Sequence, residues 1–339
     1  MDYVSAKRER ILILGAAGRD FHNFNVFFKS RPEYEVVGFT AAQIPLIAWR
    51  MYPPELSGRL YPAGLPIWPE DDLEDIIGKY QVDRCILSYS DLSHQAVMDL
   101  AERVLAVGAD FGFLGGRHTM LESKKKVIAV CAVRTGAGKS QVVRYIAEVI
   151  RKAGLRTVVV RHPMPYGNLA EEAVQRFSSR KELDGANLTI EEREEYERHI
   201  SKWTVVYAGV DYQAILDQAE READVIVWDG GNNDTSFFKP DLWITVADAL
   251  RPGHETSYYP GETNFRAADL ILINKANSAA EEDIISIEAN AARLNPEASV
   301  VVAGSQVRAE NPEIIKHKKV LVIEDGPTIT HGEMAYGAG

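Results

Sequence analysis

A short glycine-rich stretch, V-R-T-G-A-G-K-S at residues 133–140, carries residue types that bind phosphate. Its glycines let successive backbone N–H groups turn towards phosphate oxygens, the lysine supplies a positive charge, and the serine hydroxyl supplies a ligand for Mg²⁺. These groups together predict the binding of a nucleoside triphosphate. The residues that we expect to bind it are Arg134, Thr135, Gly136, Ala137, Gly138, Lys139 and Ser140.

The loop departs from the usual pattern at its first position, where Val133 replaces a glycine. The flanking sequence still has the expected order of strand, loop and helix. Residues 126–132 read K-V-I-A-V-C-A, which is typical of a buried strand, and apolar residues recur at helical spacing over 142–150. This context disfavours the alternative, a chance G-A-G-K-S in a surface turn.

An apolar stretch at residues 225–229 ends in Asp229 and is followed by Gly230 and Gly231. In proteins with such a phosphate-binding loop, a carboxylate at a strand end holds Mg²⁺ through water or orients the nucleophile. We expect Ser140 and Asp229 to form the metal site, while the two glycines let the backbone approach the γ-phosphate. A purely structural acidic strand end is the alternative.

A further loop, I-L-I-N-K-A-N at residues 271–277, resembles the N-K-x-D loop that reads the base in GTPases. Its fourth position is Asn277, whose amide offers one acceptor and one donor and so cannot match the two donors of guanine as a carboxylate does. We therefore expect ATP as the nucleotide, with Asn274 and Lys275 framing the purine. A plain loop after a strand is the alternative.

The predicted strand that follows the phosphate-binding helix ends in Arg161 and His162. In open α/β sheets, ligands bind at the carboxyl ends of the strands. Arg161 suits bidentate binding of phosphate or carboxylate, and His162 can bind phosphate or transfer a proton. We expect both to bind substrate and, together with Lys139 and Asp229, to be catalytic. An exposed Arg-His pair without function is the alternative.

Residues 247–264 form a long polar segment that we predict to be an ordered lid without regular secondary structure. It contains two Pro-Gly turns and several aromatic or imidazole side chains. Residues 323–332 again place acidic and imidazole groups after a predicted strand, where they either face the same crevice or form a capped turn. The substrate contacts that we predict in 247–264 are Asp248, Arg251, His254, Tyr258 and Glu262.

Near the N-terminus, residues 15–18 form a G-x-x-G turn between a predicted strand and a predicted helix. The turn lacks the full G-x-G-x-x-G pattern and no acidic residue ends the second strand, so we predict no NAD site. Arg19 and His22 at the start of the helix could hold a small anion. A purely structural Rossmann-like domain is the alternative.

Composition narrows the choice of partners and compartment. The formal net charge of −11 disfavours nucleic acid and anionic membrane surfaces as partners, but a small phosphorylated or carboxylate substrate remains compatible with it. The sequence contains no apolar run long enough to span a membrane, and because residues 1–10 lack the apolar core of a signal peptide we expect none. Cys85 and Cys131 both fall in predicted strands, as expected of buried reduced thiols. We therefore predict a cytoplasmic protein and leave open a homo-oligomer.

Strands and helices alternate along the whole chain, which predicts an α/β fold with parallel, doubly wound sheets. The length of 339 residues favours two domains. We predict a Rossmann-like N-terminal domain over residues 1–124 and a P-loop nucleotide-binding, catalytic domain over residues 125–339. The polar segment at 121–126 is the predicted linker.

Some predicted elements depend on weaker patterns. We expect helices over 139–152 and 169–177 and a strand over 320–324. The proline-rich stretch 53–69 is predicted to be a loop. The stretch E-E-R-E-E-Y-E-R-H at 191–199 is predicted to be a solvated charged helix, with a mobile insertion as the alternative.

Several strings in the sequence carry a family resemblance. R-T-G-A-G-K-S, with a basic residue five positions before Lys139, is similar to the SIMIBI-like P-loop class that contains dethiobiotin synthetase and metal-insertion GTPases. The strings R-H-P-M-P-Y-G, D-G-G-N-N-D, R-P-G-H-E, Y-Y-P-G-E-T-N and E-D-G-P-T-I-T-H-G-E-M resemble proteins known as cyclic 2,3-diphosphoglycerate synthetases or predicted GTPases. The likeness covers nearly the whole chain.

The resemblance implies a reaction in which ATP and 2,3-diphosphoglycerate give ADP, phosphate and the cyclic pyrophosphate. Lys139 and Mg²⁺ would neutralise charge on the γ-phosphate, and Arg161, His162 and Arg251 would hold the polyanionic substrate. We therefore expect an ATP- and Mg²⁺-dependent ligase or phosphoryl-transfer enzyme that acts on a small anionic metabolite. The alternatives are a SIMIBI-type GTPase or metallochaperone-like switch, and a non-catalytic nucleotide sensor.

Overall fold

The computed structural model describes residues 7–16, 18–42, 47–162, 167–309 and 311–322. Strands form the centre of its fold. In chain order they are β1 (Glu9–Leu14), β2 (Tyr34–Ala41), β3 (Met51–Tyr52), β4 (Leu65–Pro69), β5 (Arg84–Leu87), β6 (Leu92–Ser93), β7 (Asp110–Gly112), β8 (Lys126–Ala132), β9 (Thr157–Arg161), β10 (Gln175–Phe177), β11 (Val205–Ala208), β12 (Val225–Asp229), β13 (Leu242–Asp248), β14 (Tyr258–Tyr259), β15 (Leu270–Asn274) and β16 (Ser299–Val302).

Helices connect these strands and cover the sheets. They are α1 (Arg19–Asn23), α2 (Pro54–Ser57), α3 (Leu73–Tyr80), α4 (His94–Ala106), α5 (Gly116–Thr119), α6 (Lys139–Lys152), α7 (Arg180–Asp184), α8 (Ile190–Ile200), α9 (Tyr212–Glu222), α10 (Gly261–Ala267) and α11 (Glu281–Leu294). A π-helical segment continues α1, and short 3₁₀ turns lie at Glu70–Asp72, His254–Thr256, Ala276–Ser278 and Pro312–Ile314.

The strands form two main sheets and one short ladder. The first sheet has the order β3-β4-β2-β1-β5-β7 and is parallel except where β3 meets β4. The second has the order β10-β11-β9-β12-β8-β13-β15-β16 and is parallel except where β10 meets β11. The ladder joins β6 to β14, one strand from each half of the chain. The prediction of an α/β fold with parallel sheets is confirmed.

The second sheet is buried on both faces, which explains its nearly continuous apolar strands. Alternate residues of β8 point to opposite faces: Val127 and Cys131 pack with Trp228 on one side, and Val130 packs with Val143 of α6 on the other. The strand order places β12 beside β8. Consequently, the loop after β8 and the end of β12 lie at the same edge of the sheet.

Several predicted elements differ in the structure. The helix predicted over 139–152 coincides with α6, whereas the one predicted over 169–177 is wrong, because this segment contains turns and the edge strand β10. The proline-rich stretch 53–69 holds α2 and β4 instead of being only a loop. No strand forms over the described part of 320–324, and residues 323–332 lie outside the described residues.

Candidate active site

The glycine-rich loop runs from the end of β8 to the start of α6. Gly136 and Gly138 have positive φ angles of 80° and 102°, which glycine adopts without steric cost. A Cβ atom on Gly138 would lie 2.2 Å from Nδ2 of Asn274, so only glycine fits at this point. Lys139 is the first residue of α6, and the N-terminal end of the helix therefore faces the loop.

Side chains from outside the loop hold its carbonyl oxygens. The amide nitrogen of Asn233 donates to the carbonyl of Val133 over 2.9 Å, and Arg251 donates to that of Thr135 over 2.7 Å. Lys275 and Asn274 donate to the next two carbonyls, those of Gly136 and Ala137, over 2.8 and 2.9 Å. With its carbonyls bound from outside, the loop keeps an open conformation whose N–H groups can bind an anion.

A buried carboxylate, Asp248, anchors two of those donors. Its Oδ2 atom accepts from Lys275 over 2.6 Å and from Nε of Arg251 over 2.9 Å, and its side chain is fully buried. Asp248 thus orients Arg251, which binds the Thr135 carbonyl of the glycine-rich loop. These contacts place both residues in the scaffold of the loop, and their contact with substrate stays a prediction.

The carboxylate of Asp229 lies at the end of β12 and is bound on both oxygens. Lys139 donates to Oδ1 and also to the carbonyl of Gly230, and Arg161 donates to Oδ2. Burial alone would raise the pKa of Asp229, but the positive charges of Arg161 and Lys139 outweigh burial and hold the pKa at about 2. The structure therefore brings Lys139 and Arg161 to the two oxygens of an ionised Asp229 carboxylate.

Helix α8 contributes to the same cluster. Glu195 forms an ion pair with Arg161, and Nε2 of His199 lies 3.9 Å from Oδ2 of Asp229. The imidazole of His199 is buried, and burial together with the charge of Arg161 lowers its pKa to about 3. The prediction of a merely solvated helix is wrong, because α8 buries one face. The buried residues of that face are Glu192, Tyr196, His199 and Ile200.

Sequence reasoning missed Glu195 and His199. Most residues in 191–199 are charged, so the two apolar residues on one helix face, Tyr196 and Ile200, were not recognised as a buried face. Glu192, Tyr196 and His199 recur at intervals of four and three residues, which is the spacing of one helix face. That spacing was the available signal for a buried side of α8.

His162 follows β9 and lies against one glycine from each half of the chain. A Cβ atom on Gly18, at the start of α1, would come within 1.7 Å of Nε2 of His162. On the other side, a Cβ on Gly231 would lie 3.1 Å from its Cγ. The imidazole thus sits between the G-x-x-G turn of the first sheet and the backbone after Asp229. The prolines at 163 and 165, which follow it, lie outside the described residues.

The segment 247–264 was predicted to have no regular secondary structure. This prediction is wrong, because the segment contains β14 and most of α10. Tyr258 stacks over the guanidinium of Arg134 at 3.7 Å, and the ring of His254 lies 4.8 Å from that of Tyr258. Glu262 pairs with Arg266 over 2.6 Å. The structure therefore brings Tyr258 to the glycine-rich loop, whereas Glu262 is directed elsewhere.

Arg19 and His22 are buried where the two halves of the chain meet. Arg19 pairs with Asp234 and stacks over the ring of Phe237 at 4.6 Å. His22 contacts the carbonyl of Thr119 at 2.6 Å, and burial followed by the nearby charge of Arg19 lowers its pKa to about 3. These contacts favour the structural alternative over the small-anion site.

The loop at 274–277 binds protein groups in this structure. Oδ1 of Asn277 accepts from the backbone N–H of Ser305 over 2.6 Å, and its amide nitrogen donates to Ser278 over 3.1 Å. In the part of the chain that the structure describes, no group of three or more His, Cys, Asp or Glu side chains could hold a metal ion by itself. Ser140 and Asp229 would share a metal ion with the phosphates of a nucleotide.

A glycine-rich loop between a parallel strand and a helix, with a lysine paired to the carboxylate at the neighbouring strand end, defines the class of P-loop proteins. The chain is 59% identical over 333 residues to arginine synthetase ArcE of Thermococcus kodakarensis, which covers 98% of this chain and 74% of ArcE. The chain belongs to the family of ArcE. No family model matches it.

More distant similarities accompany this one. Cyclic 2,3-diphosphoglycerate synthetase of Thermococcus sibiricus is 21% identical over 265 residues, which span 72% of this chain and 59% of that protein. LpxK from Aquifex aeolicus in complex with ATP matches at a TM-score of 0.33 and 18% identity, covering 46% of this chain and 50% of that one. FlhF in complex with GMPPNP and Mg²⁺ matches at a TM-score of 0.32 and 11% identity, covering 62% of this chain and 74% of that one.

These comparisons bear on two predictions. The chain is an ATP-dependent enzyme of the ligase or phosphoryl-transfer type, as predicted; both named relatives are synthetases. The resemblance to cyclic 2,3-diphosphoglycerate synthetases holds only as a distant relationship, since the likeness to ArcE is far greater. Among the described residues, no helix is long and apolar enough to cross a membrane.

Proposed function

We propose that this chain is an ATP- and Mg²⁺-dependent synthetase that forms arginine. The observation that carries the proposal is the 59% identity to arginine synthetase ArcE over 98% of the chain. A carboxylate-bearing amino-acid substrate also agrees with the small anionic metabolite expected from the sequence. The division into a Rossmann-like domain over 1–124 and a catalytic domain over 125–339 remains part of this proposal, supported by the change of sheet between β7 and β8.

The chemistry of the product indicates the reaction class. A guanidinium group can form from a ureido group when ATP phosphorylates the ureido oxygen and releases ADP. A nitrogen nucleophile then attacks the ureido carbon, the carbon–oxygen bond breaks, and inorganic phosphate leaves as the nucleophile loses a proton. Orientation of the two reactants and neutralisation of phosphate charge are the main requirements for both steps.

The residues of the site fit a nucleotide. The carbonyls of the glycine-rich loop are bound by side chains from outside the loop, and the positive φ of Gly138 and its close contact with Asn274 require glycine at that position. Lys139 would exchange its bond to Asp229 for the β- and γ-phosphates. Mg²⁺ held by Ser140 and Asp229 would neutralise phosphate charge.

Arg161 and His162 are the proposed contacts of the acceptor substrate. Arg161 is held by Asp229 and Glu195, so its guanidinium is oriented before a ligand arrives. It would bind the transferring phosphoryl group or the substrate carboxylate. His162, between Gly18 and Gly231, would orient the acceptor next to it.

Synthesis of a cyclic pyrophosphate from 2,3-diphosphoglycerate is the second candidate, supported by the 21% identity to a synthetase of that name. Such a substrate carries several negative charges and needs unoccupied cations. Arg251, one of the three residues that the resemblance assigns to it, is buried and bound to Asp248 and the carbonyl of Thr135. We therefore favour arginine formation.

A GTP-dependent switch or metallochaperone has less support. Both polar atoms of the Asn277 amide have protein partners, and a carboxylate able to read guanine does not stand at this position. In the ranges that the structure describes there is no cluster of side chains suited to carry a metal ion as cargo.

The proposal is tested by incubating the protein with ATP, Mg²⁺, the ureido amino acid citrulline and ammonium as the nitrogen source. We expect arginine, ADP and phosphate in equal amounts, detected by mass spectrometry. A parallel reaction contains 2,3-diphosphoglycerate. If only the cyclic pyrophosphate forms, the proposal is overturned in favour of the second candidate. If none of the substrates stimulates ADP release, both candidates are overturned.

A further inference from the structure

A carboxylate from the first half of the chain reaches into the glycine-rich loop of the second. Oδ1 of Asp91 accepts from Nε of Arg134 over 2.9 Å and from the backbone N–H of Thr135 over 3.3 Å. Both charged side chains are nearly inaccessible, with 7% of Asp91 and 3% of Arg134 exposed. The contact is therefore a desolvated ion pair that also occupies a loop N–H group.

Backbone hydrogen bonds on both sides fix the position of Asp91. Its own N–H donates to the carbonyl of Tyr259 over 2.9 Å, and the N–H of His94 donates to that of Ser257 over the same distance. Between these bonds, β6 pairs antiparallel with β14. Asp91 itself has a φ of 67°, a left-handed conformation that Asp and Asn adopt more readily than most residues.

Arg134, the partner of Asp91, is also fixed by a second contact. The ring of Tyr258, on β14, covers the guanidinium of Arg134 at 3.7 Å. The guanidinium therefore has an aromatic face on one side and a carboxylate on its Nε edge. This arrangement directs the positive charge of Arg134 towards Asp91 within the loop that is expected to bind phosphate.

A carboxylate oxygen that accepts from a loop N–H and from an adjacent guanidinium makes the bonds that a phosphate oxygen makes in such a loop. We propose that Asp91 is an affinity-determining residue of the nucleotide site: it accepts from Arg134 and from the Thr135 N–H, and it competes with a phosphate group of the nucleotide for these two donors. This inference rests on the proposed function only in requiring that the loop binds a nucleotide.

Competition by Asp91 and a purely structural role of Asp91 predict opposite changes in nucleotide affinity when its charge is removed. If Asp91 competes with phosphate for the same donors, its negative charge opposes binding, and removal of the charge strengthens binding. If Asp91 only holds the loop in shape, its removal leaves the affinity unchanged or weakens it. The sign of the change in affinity therefore distinguishes the two roles.

The test compares Asp91→Asn with the unaltered protein. Asparagine tolerates the positive φ and keeps an acceptor oxygen but has no charge. The dissociation constant of a fluorescent ATP analogue is measured directly, and that of inorganic pyrophosphate by competition. We expect both to fall about tenfold, a typical size for coupling between two binding events. Glu74→Gln, an exposed carboxylate paired with Arg103, removes the same charge as a control and is expected to change neither constant.

An unchanged or raised dissociation constant in folded Asp91→Asn protein would overturn the inference. If the unaltered protein binds neither probe, the proposed nucleotide site itself fails, which separates the two failures. Should Asp91→Asn not fold, Asp91→Gly, which also lacks the charge and tolerates the positive φ, is measured in the same way. An unchanged or raised dissociation constant in that variant would refute the competition.

Discussion

Lys139 and Asp229, 90 residues apart in the sequence, are hydrogen-bonded at the meeting point of α6 and β12. The lysine begins its helix and the aspartate ends its strand, so neighbouring strand order alone brings them together. The pair keeps a buried carboxylate ionised and keeps a cation poised at the glycine-rich loop. Replacement of Lys139 should therefore affect catalysis more than folding, because Arg161 still pairs with the other oxygen of Asp229.

Lys139→Ala should lower kcat for ATP consumption by at least about 100-fold, because one preorganised donor to developing phosphate charge is removed. The measurement is steady-state ADP release with citrulline and ammonium. Lys152→Ala, at the exposed end of α6, is the matched control and should be silent. An active Lys139→Ala protein would show that the glycine-rich loop does not bind the reacting phosphate.

Asp248→Asn should destabilise the protein by about 3 kcal/mol or more, because the buried Arg251 and the partly buried Lys275 would lose their shared carboxylate. Nucleotide affinity should fall as well, since those cations hold the carbonyls of Thr135 and Gly136. Urea denaturation and nucleotide titration measure the two effects. Asp217→Asn on α9 serves as the comparison. Loss of affinity without loss of stability would instead assign Asp248 to direct ligand contact.

Acid should destabilise the protein through its buried imidazoles. The pKa values of His22 and His199 are lowered to about 3, chiefly by burial, from 6.5. Between those values the unfolded state binds more protons, so the free energy of unfolding falls as the pH is lowered through this range. Each histidine contributes a slope of up to about 1.4 kcal/mol per pH unit.

Urea denaturation at pH 7, 6 and 5 measures this slope. His22→Gln and His199→Gln should each reduce the slope by the contribution of about one proton. Equal slopes in the unaltered protein and the two variants would mean that these imidazoles are protonated, or hydrated, in the native state.

Neither cysteine should react with a disulfide reagent in the native protein at pH 8. Cys85 and Cys131 are buried and free, and burial raises the pKa of each thiol to about 12, so almost no thiolate is present. Two thiols should react at once in denaturant. Rapid native-state labelling would indicate local opening of β5 or β8.

The sequence predicted those parts of the site that depend on neighbouring residues. Helix α6 follows from apolar spacing within its own residues, and Asp229 follows from an apolar strand that ends in an acid. The roles of Asp248 and Arg251 could not be predicted. Their burial beneath the loop depends on β13 packing beside β8, a long-range pairing that no local pattern encodes.

His199 and Asp91 illustrate the same difficulty. His199 is buried because α8 folds over the ends of β9 and β12, and its helix is so highly charged that solvation was the simpler interpretation. Asp91 is a single acidic residue after a strand of the other sheet. Its meaning arises only from the pairing of β6 with β14.

The ladder of β6 and β14 also limits how this chain can evolve by shuffling. Each half of the chain contributes one two-residue strand, and the ladder brings the backbone N–H of Asp91 to the carbonyl of Tyr259. A different first sheet grafted onto the same second sheet would have to supply a strand of the same length, direction and position. Exchange of either half alone would leave unpaired backbone groups beside the glycine-rich loop, so the two halves are expected to diverge as a matched pair.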